Sequence, residues 1–534
     1  MSKILGALLL INSLAFATDP YVRNAAIDVQ QYIFQIEVND STDVISGRAD
    51  VIILFKKPVQ EFELDLINKD NLGKGMEVAG VSLKGASLTF THKSNRLHIV
   101  MPSMMKANDQ ATITIVYKGI PQDGLVIGKN KFGDRGFFGD NWPDRGHHWL
   151  PVVDHPSDKA AVDFIIIAPL HYAVIANGIK IEESQLDTKR KLTHWHEEVP
   201  IPVKVMVAGI ARFAIQYVGK VNDIPVESWV FPQNKTEGFY DYAVAVKMLD
   251  YFNGHIGSYS YKKLANVQSK TRWGGMENAS AIFYPEGSVN GKADDEGTIA
   301  HEIAHQWFGD SASENDWYHV WLSEGFATYF SNLYLEYAYG HDRLVKEEKI
   351  DREEVIAYFL EKPAPVVDTT ITNISDVLSV NTYQKGGWAI HMLRHEMGET
   401  DFWKGIRQYY ATYKNKNVMT ADFQRVMEQA SGKDLSIFFN QWLFKAGHPK
   451  ISGSWHFDGK SKTVNVEIEQ IQPGVPFKFS LDFGIVGADG RQELTTAQIN
   501  SKSQKFTFST SLIPTNLILD PETWLLFEGS LKQK

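Results

Sequence analysis

The sequence predicts a multidomain α+β protein, because its hydrophobic period runs first at two, then near 3.6, then at two again. Its 534 residues, at roughly 100 to 200 per domain, suggest about three to four domains. With 43% hydrophobic, 12% aromatic and 22% charged residues the chain has the composition of a folding globular protein rather than a disordered or fibrous one. Three blocks follow: all-β from 18 to 212, mainly helical from 213 to 445, and a small β-sandwich from 446 to 534.

Ahead of them, MSKILGALLLINSLAFA at 1–17 combines Lys3, an apolar run from Ile4 to about Leu14, and the small residues Ala15 and Ala17 around Phe16. This is the pattern of a cleavable secretory signal. The run is shorter than the roughly 20 residues that span a bilayer. The expectation is export, periplasmic or extracellular, with cleavage near Ala17 and no transmembrane segment in the mature chain. In the first block, ATITIVYKG places Ile113, Ile115 and Tyr117 on one face and Thr112 and Thr114 on the other, and SGRADVIILFKK and DFIIIAP supply further strands. In the second, Phe239, Tyr242, Ala243, Val246 and Leu249 make a helical stripe. After Gly447-His448-Pro449 alternation returns, with Val464, Val466 and Ile468 on one face and Phe506 and Phe508 on a later strand. No internal repeat, low-complexity linker or charge block separates the blocks, so the domains are expected to pack together.

Composition also excludes functions. A net charge of -10 lacks the cationic footprint that nucleic-acid binding needs. With no Cys there is no disulfide framework, thiol catalysis or Cys-ligated zinc finger, and a transition metal must be held by His and carboxylates.

The sharpest chemical signal is HEIAH at 301–305. On a helix, i and i+4 lie about one turn apart on the same face, so His301 and His305 can share one ion. Ile299, Ile303 and Trp307 form a packing stripe on the other side, Asp294 or Asp295 can cap the start, and Gly309 can end the helix. Glu324 follows in WLSEGFATYF, on a second predicted helix crowded by Trp321, Leu322 and Phe326. A carboxylate in such surroundings is costly unless a cation or hydrogen bonds compensate it. Two His and one Glu leave the fourth position of a zinc ion open, as catalytic sites do. A third string, WGGMENAS at 273–280, sets Gly274 and Gly275 before an acid; read locally it is a turn or bulge with a surface glutamate. Tyr383, in NTYQKGGWAIHML, reads locally as core.

Taken in order, GGMEN, HEIAHQWFGD, WLSEGFAT and FFNQWLFKAGHP, with LPVVDHPSDKA in the β-rich first block, resemble the gluzincin zinc aminopeptidase family that includes aminopeptidase N and leukotriene hydrolase. The resemblance covers most of the chain. It implies a thermolysin-like catalytic domain at 213–445 and one Zn2+ per chain held by His301, His305 and Glu324. It makes Glu302 the general base, Tyr383 a donor to the transition state, and Gly274, Gly275, Met276, Glu277 and Asn278 the substrate-binding segment, with Glu277 anchoring the substrate amino group. The implied reaction is hydrolysis of the first peptide bond of oligopeptides by a zinc-activated water, on peptides with a free N-terminus.

Two departures stand out. Family members commonly place a Gln or Glu of the N-terminal domain beside the substrate amine; here the corresponding stretch is FGDNWPDRGHHWLP, where Asp140 or Asn141 is the candidate substitute. A long helical C-terminal domain, common among relatives, has no counterpart in the β-rich stretch after Pro449, which resembles three-domain members. Other functions fit parts of the pattern. A zinc endopeptidase shares HExxH and the later Glu but needs no amine anchor, a lipid epoxide hydrolase uses the same scaffold, and a non-catalytic binding module normally lacks a ligand or the base.

Overall fold

The computed structural model describes residues 18–534; the leader expected at 1–17 lies outside the described residues. The first region is β-rich. Its eight-stranded sheet has Ile27–Glu37 at the centre, antiparallel to Ile45–Phe55 and parallel to Lys159–Pro169. Gln110–Ile120 pairs antiparallel with Ile45–Phe55 and buries Ile113, Ile115 and Tyr117 while Thr112 and Thr114 point outward. A four-stranded sheet, in the order Ala173–Ala176, Ala208–Ala211, Arg135–Gly139, Leu125–Lys129, matters most for function, because the chain leaves Arg135–Gly139 directly for the cavity described below.

The central region is helical, but it opens with a four-stranded sheet that hydrophobic periodicity does not reveal: Ala214–Val221, Ile224–Val230, Leu264–Ser269 and Ala281–Pro285. Leu264–Ser269 pairs in parallel with both neighbours and is buried at every position. A strand covered on both faces has no polar face and so no period of two. The expected stripe at 239–249 is also displaced. The structure buries Tyr242, Ala245, Met248, Leu249 and Phe252, and leaves Ala243 exposed. A 3-10 turn at Tyr242–Val244 separates helix Lys235–Asp241 from Ala245–His255, and each of its residues advances about 120° instead of 100°, which rotates the apolar face.

After Pro449 two antiparallel-rich sheets pack face to face. Thr463–Gln470 lies in a four-stranded sheet with Ser503–Ser509, and Phe479–Gly487 centres a three-stranded one. Val464, Val466 and Ile468 are buried, and Phe483 meets Phe508 and Phe506 across the gap at 5.2 and 6.3 Å between ring centroids. Hydrogen bonds tie the regions together. Lys263 donates to the carbonyls of Ala176 and Gly178, both at 2.7 Å, and His391 Nε2 donates to the Thr523 carbonyl at 2.8 Å.

Candidate active site

Helix Glu296–His305 carries the HEIAH string. Ile299, Ala300, Ile303 and Ala304 are buried and Trp307 is fully so, which fixes the helix's rotation and turns His301 and His305 the other way. Asp295 stands at the N-cap, where its side chain bonds the Thr298 side chain in the first turn and not a backbone N–H. The helix stops at His305, ahead of Gly309. That glycine has φ +122°, and a Cβ on it would lie 2.2 Å from Ser323 Oγ and 3.1 Å from His305 Nδ1, so no other residue lets the chain turn so tightly beneath the ligand.

Helix Trp321–Tyr339 then returns Glu324 to the same point. Glu324 Oε2 lies 3.2 Å from His305 Nε2 and 3.5 Å from His301 Nε2, and the two imidazole nitrogens are 3.0 Å apart. Zinc–ligand bonds of about 2.0 to 2.2 Å at tetrahedral angles put neighbouring donors roughly 3.3 Å apart. The three donors therefore fit one zinc ion. The Phe308 carbonyl, 3.1 Å from His305 Nδ1, can only accept, so Nδ1 carries the proton and Nε2 offers its lone pair to a metal; Ser323 Oγ lies 3.0 Å from the same Nδ1. Among the described residues this is the one group of His, Asp and Glu side chains arranged to hold a metal. Replacing His305 or Glu324 by Ala is expected to remove bound zinc together with activity, checked by metal analysis of the purified variants. Stoichiometric zinc in either would strike that residue from the set.

Tyr383 arrives by a helix crossing. A Cβ on Gly325 would meet the backbone of Gly386 at 2.8 Å, and one on Gly386 would meet Gly325 Cα at 3.2 Å, so helix Gly386–Met397 presses this closely against Trp321–Tyr339 because position 325 is glycine. The turn Asn381–Lys385 that precedes it brings the Tyr383 ring parallel to His301, 5.9 Å between centroids.

Glu302 points away from the ligand face, toward GGMEN. Met276 exchanges backbone hydrogen bonds with Phe283 at 2.8 and 2.9 Å, which lays this segment beside strand Ala281–Pro285. Gln306 completes the clamp: its Nε2 donates to the Glu277 carbonyl at 2.7 Å and its Oε1 accepts from Ser280 N at 2.8 Å. A Cβ on Gly275 would sit 2.2 Å from Glu302 Oε1, whereas one on Gly274 meets nothing within 4 Å. Only Gly275 is demanded by packing. Gly275→Ala is expected to push the carboxylate aside and lower turnover about 10²-fold with zinc retained, the usual effect of an ångström-scale misplacement. Unchanged turnover would show that the side chain relaxes without consequence.

A cavity of about 360 Å³ joins these groups, lined by His301, Glu302, His305, Glu324 and Tyr383 and by Gly274, Gly275, Met276 and Glu277. Asn278 does not line it. It is fully buried, its carbonyl accepts from Ala281 N at 3.0 Å, and its side-chain Nδ2 and Oδ1 make no hydrogen bond. Glu277 is only 5% exposed, and its Oε1 has no hydrogen-bond partner. Burial drives the Glu277 and Glu302 carboxyls up, against the pull of His305. Burial acts the same way on Glu324, but the imidazoles of His305 and His301 outweigh it and hold this carboxyl well below the ordinary range. On His305 burial favours the neutral ring, and without a metal Glu324 overrides it and lifts the imidazole to about 10, so metal binding at Nε2 would displace a proton. Burial and the nearby glutamates raise the Tyr383 phenol, keeping its proton in place. Three buried carboxylates meet here with no Lys or Arg on the cavity wall among the described residues, a charge balance that suits a divalent cation.

The N-terminal region contributes Trp142 to the wall, not Asp140 or Asn141. Both of the latter are fully buried. Asn141 donates to the carbonyls of Val203 and Met206 at 3.1 and 2.8 Å and accepts from Trp149 Nε1 at 2.8 Å, and Asp140 accepts from Arg145 and Trp273. Hydrogen bonding commits the Asn141 amide to the scaffold, whereas Asp140 commits Oδ1 and keeps Oδ2 without a partner. Sequence reading also missed Gln306, Ser323 and Trp142. Gln306 adjoins HEIAH, but nothing local marks its reach to Glu277, and nothing marks Trp142 as a wall.

Fold and site define a candidate metal centre whose HExxH helix is completed by a glutamate from a second helix. Residues 29–203 match the Peptidase M1 N-terminal domain, and residues 240–442 match the Peptidase family M1 domain. The chain belongs to peptidase family M1, and the metal its donors fit is that family's zinc. It is 26% identical over 417 residues to the Probable aminopeptidase 2 of Sulfurisphaera tokodaii, covering 74% of this chain and 52% of that protein. It is 27% identical over 332 residues to the human Glutamyl aminopeptidase, covering 59% and 34%. The chain thus spans about half the length of the first of these relatives and a third of the second. The crystal structure of the M1 zinc metallopeptidase from Deinococcus radiodurans shares its fold, with a TM-score of 0.67 and 21% identity over 78% of this chain and 93% of that one.

Proposed function

We propose that the protein is a zinc-dependent aminopeptidase that hydrolyses the N-terminal peptide bond of oligopeptides. The observation that carries this reading is Glu277, a buried carboxylate with an unpartnered oxygen in the cavity that holds the metal ligands. A substrate ammonium compensates such a group, and pairing with it sets the first carbonyl, instead of an internal one, against the metal centre. His301, His305 and Glu324 would hold the zinc ion, which when bound would supply Lewis acidity and lower the pKa of water to near 7. Glu302 takes the proton of the attacking water and returns it to the departing amine, so one carboxylate serves both steps. Tyr383 keeps its proton and donates it in a hydrogen bond to the developing oxyanion.

Tyr383→Phe is therefore expected to lower the turnover number about 10²-fold to 10³-fold with a smaller effect on KM. An unchanged turnover number would return Tyr383 to a packing role.

The test of the function is a pair of peptides that differ only in N-acetylation, assayed before and after chelation and after zinc is restored. The free peptide should be cleaved at its first bond in a metal-dependent way and the acetylated one should be nearly inert. Equal cleavage of both, or cleavage at internal bonds, would install the endopeptidase reading. The name glutamyl aminopeptidase belongs to the relatives that carry it and does not set the first residue preferred here. Export belongs to the same proposal and rests on the 1–17 leader pattern; no helix among the described residues is long and apolar enough to cross a membrane.

A further inference from the structure

We infer that the cavity selects peptides whose first residue has a large apolar or aromatic side chain and turns away acidic ones, with Asp140 as the positioning residue of its indole wall. The inference rests on the aminopeptidase reading and names the substrate class of that same site. The N-terminal region's contribution to the wall is an indole, Trp142, packed edge-to-face on Trp273 at 6.0 Å and on Trp317 at 5.4 Å. Lys204 lies 5.8 Å over the Trp317 ring and in the field of both Glu277 and Glu324, which ties this aromatic cluster to the carboxylates of the cavity. Trp273 is half-buried and lines the cavity beside Met276. Two indoles and a thioether remove apolar side-chain surface from water.

The cations nearby are committed elsewhere. Lys204 is buried and paired with Glu314 at 2.6 Å. Arg145 binds Asp140 at 2.9 Å and Asp123 at 3.1 Å, and Arg272 pairs with Asp123 and lies 3.6 Å from Asp140. An acidic first side chain would thus add a carboxylate to a cavity that already holds three and offers no free Lys or Arg on its wall among the described residues.

Asp140 holds the wall in place without touching it from inside. Its Oδ1 accepts the Trp273 indole N–H at 3.1 Å, and the Arg145 guanidinium it binds lies 5.8 Å over the Trp273 ring. The indole is thereby pinned by a buried acceptor on one edge and a cation on its face. Loss of the acceptor frees the ring to rotate and loosens the fit around a bulky side chain, while a small one notices little.

The experiment uses the zinc-loaded enzyme with phenylalanyl, leucyl, alanyl and glutamyl fluorogenic amides. The expected kcat/KM for the phenylalanyl and leucyl substrates exceeds that for alanyl about 10-fold and that for glutamyl about 100-fold or more. Glutamyl hydrolysis as fast as phenylalanyl, or no preference among the four, overturns the inference and leaves the aminopeptidase reading standing; hydrolysis of none overturns both. Asp140→Ala should cut the phenylalanyl-to-alanyl ratio about 10-fold and leave the preference for free over N-acetylated peptide intact, and Asp140→Asn, which keeps an oxygen for the indole, should restore the ratio. A proportional loss on both substrates, or a fall in the free-over-acetylated preference, removes the positioning role. Trp142→Leu reads the wall without disturbing the Asp140 pairs, and an unchanged ratio in that variant overturns the wall itself.

Discussion

Glu302→Gln is expected to lower turnover about 10³-fold to 10⁴-fold, the upper end of what one general acid–base group supplies, because the same carboxylate takes the proton from water and delivers it to the leaving amine. The substitution is close to isosteric. The Gly275 backbone that leaves room for Glu302 Oε1 accommodates the amide equally, and His301, His305 and Glu324 keep their donors. Zinc content and thermal stability should therefore stay at wild-type values while activity disappears, which separates this variant from those of the ligands. Near-wild-type turnover with full zinc would overturn the assigned proton transfers.

The second large effect is expected at Glu277. Glu277→Ala removes the partner of the substrate ammonium inside a partly desolvated cavity, where losing one member of a hydrogen-bonded charge pair costs about 2 to 5 kcal/mol. This corresponds to roughly 30-fold to several thousandfold in kcat/KM for free peptides, with much less change for acetylated ones, so the discrimination between them should collapse. Because no carboxylate of the N-terminal region lines the cavity among the described residues, the loss should fall toward the larger figure. Retained discrimination in the variant would show that another group holds the amine.

Part of this site was legible before any coordinates. His301 and His305 are four residues apart on one helix, and local periodicity alone puts them on one face. Glu324 was legible because a lone acid among Trp321, Leu322 and Phe326 needs a compensating charge. The alternation in Gln110–Ile120 and Thr463–Gln470 matches the strands found there, since each has one covered and one open face. Tyr383 and Glu277 carried no local signal and were readable only through resemblance, because a tyrosine at the start of an apolar helix and a glutamate in a glycine turn have commoner, structural roles.

What the sequence by itself determined was the chemistry available: which donors exist, that no thiol is among them, and that two imidazoles share a helix face. Tertiary structure decided which groups meet. The close crossing at Gly325 and Gly386 brings Tyr383 beside His301, and the Gln306 clamp sets Glu277 in the same cavity as the ligands. It also decided what Asp140 binds. Its partners, Arg145 and Trp273, are a near neighbour and a residue 133 positions away, and their hydrogen bonds hold Oδ1 of the carboxylate beside an indole of the wall. Contacts between residues so distant in sequence leave no local period to read, and the doubly covered strand Leu264–Ser269 escaped notice for the related reason that burial on both faces erases the alternation by which strands are recognised.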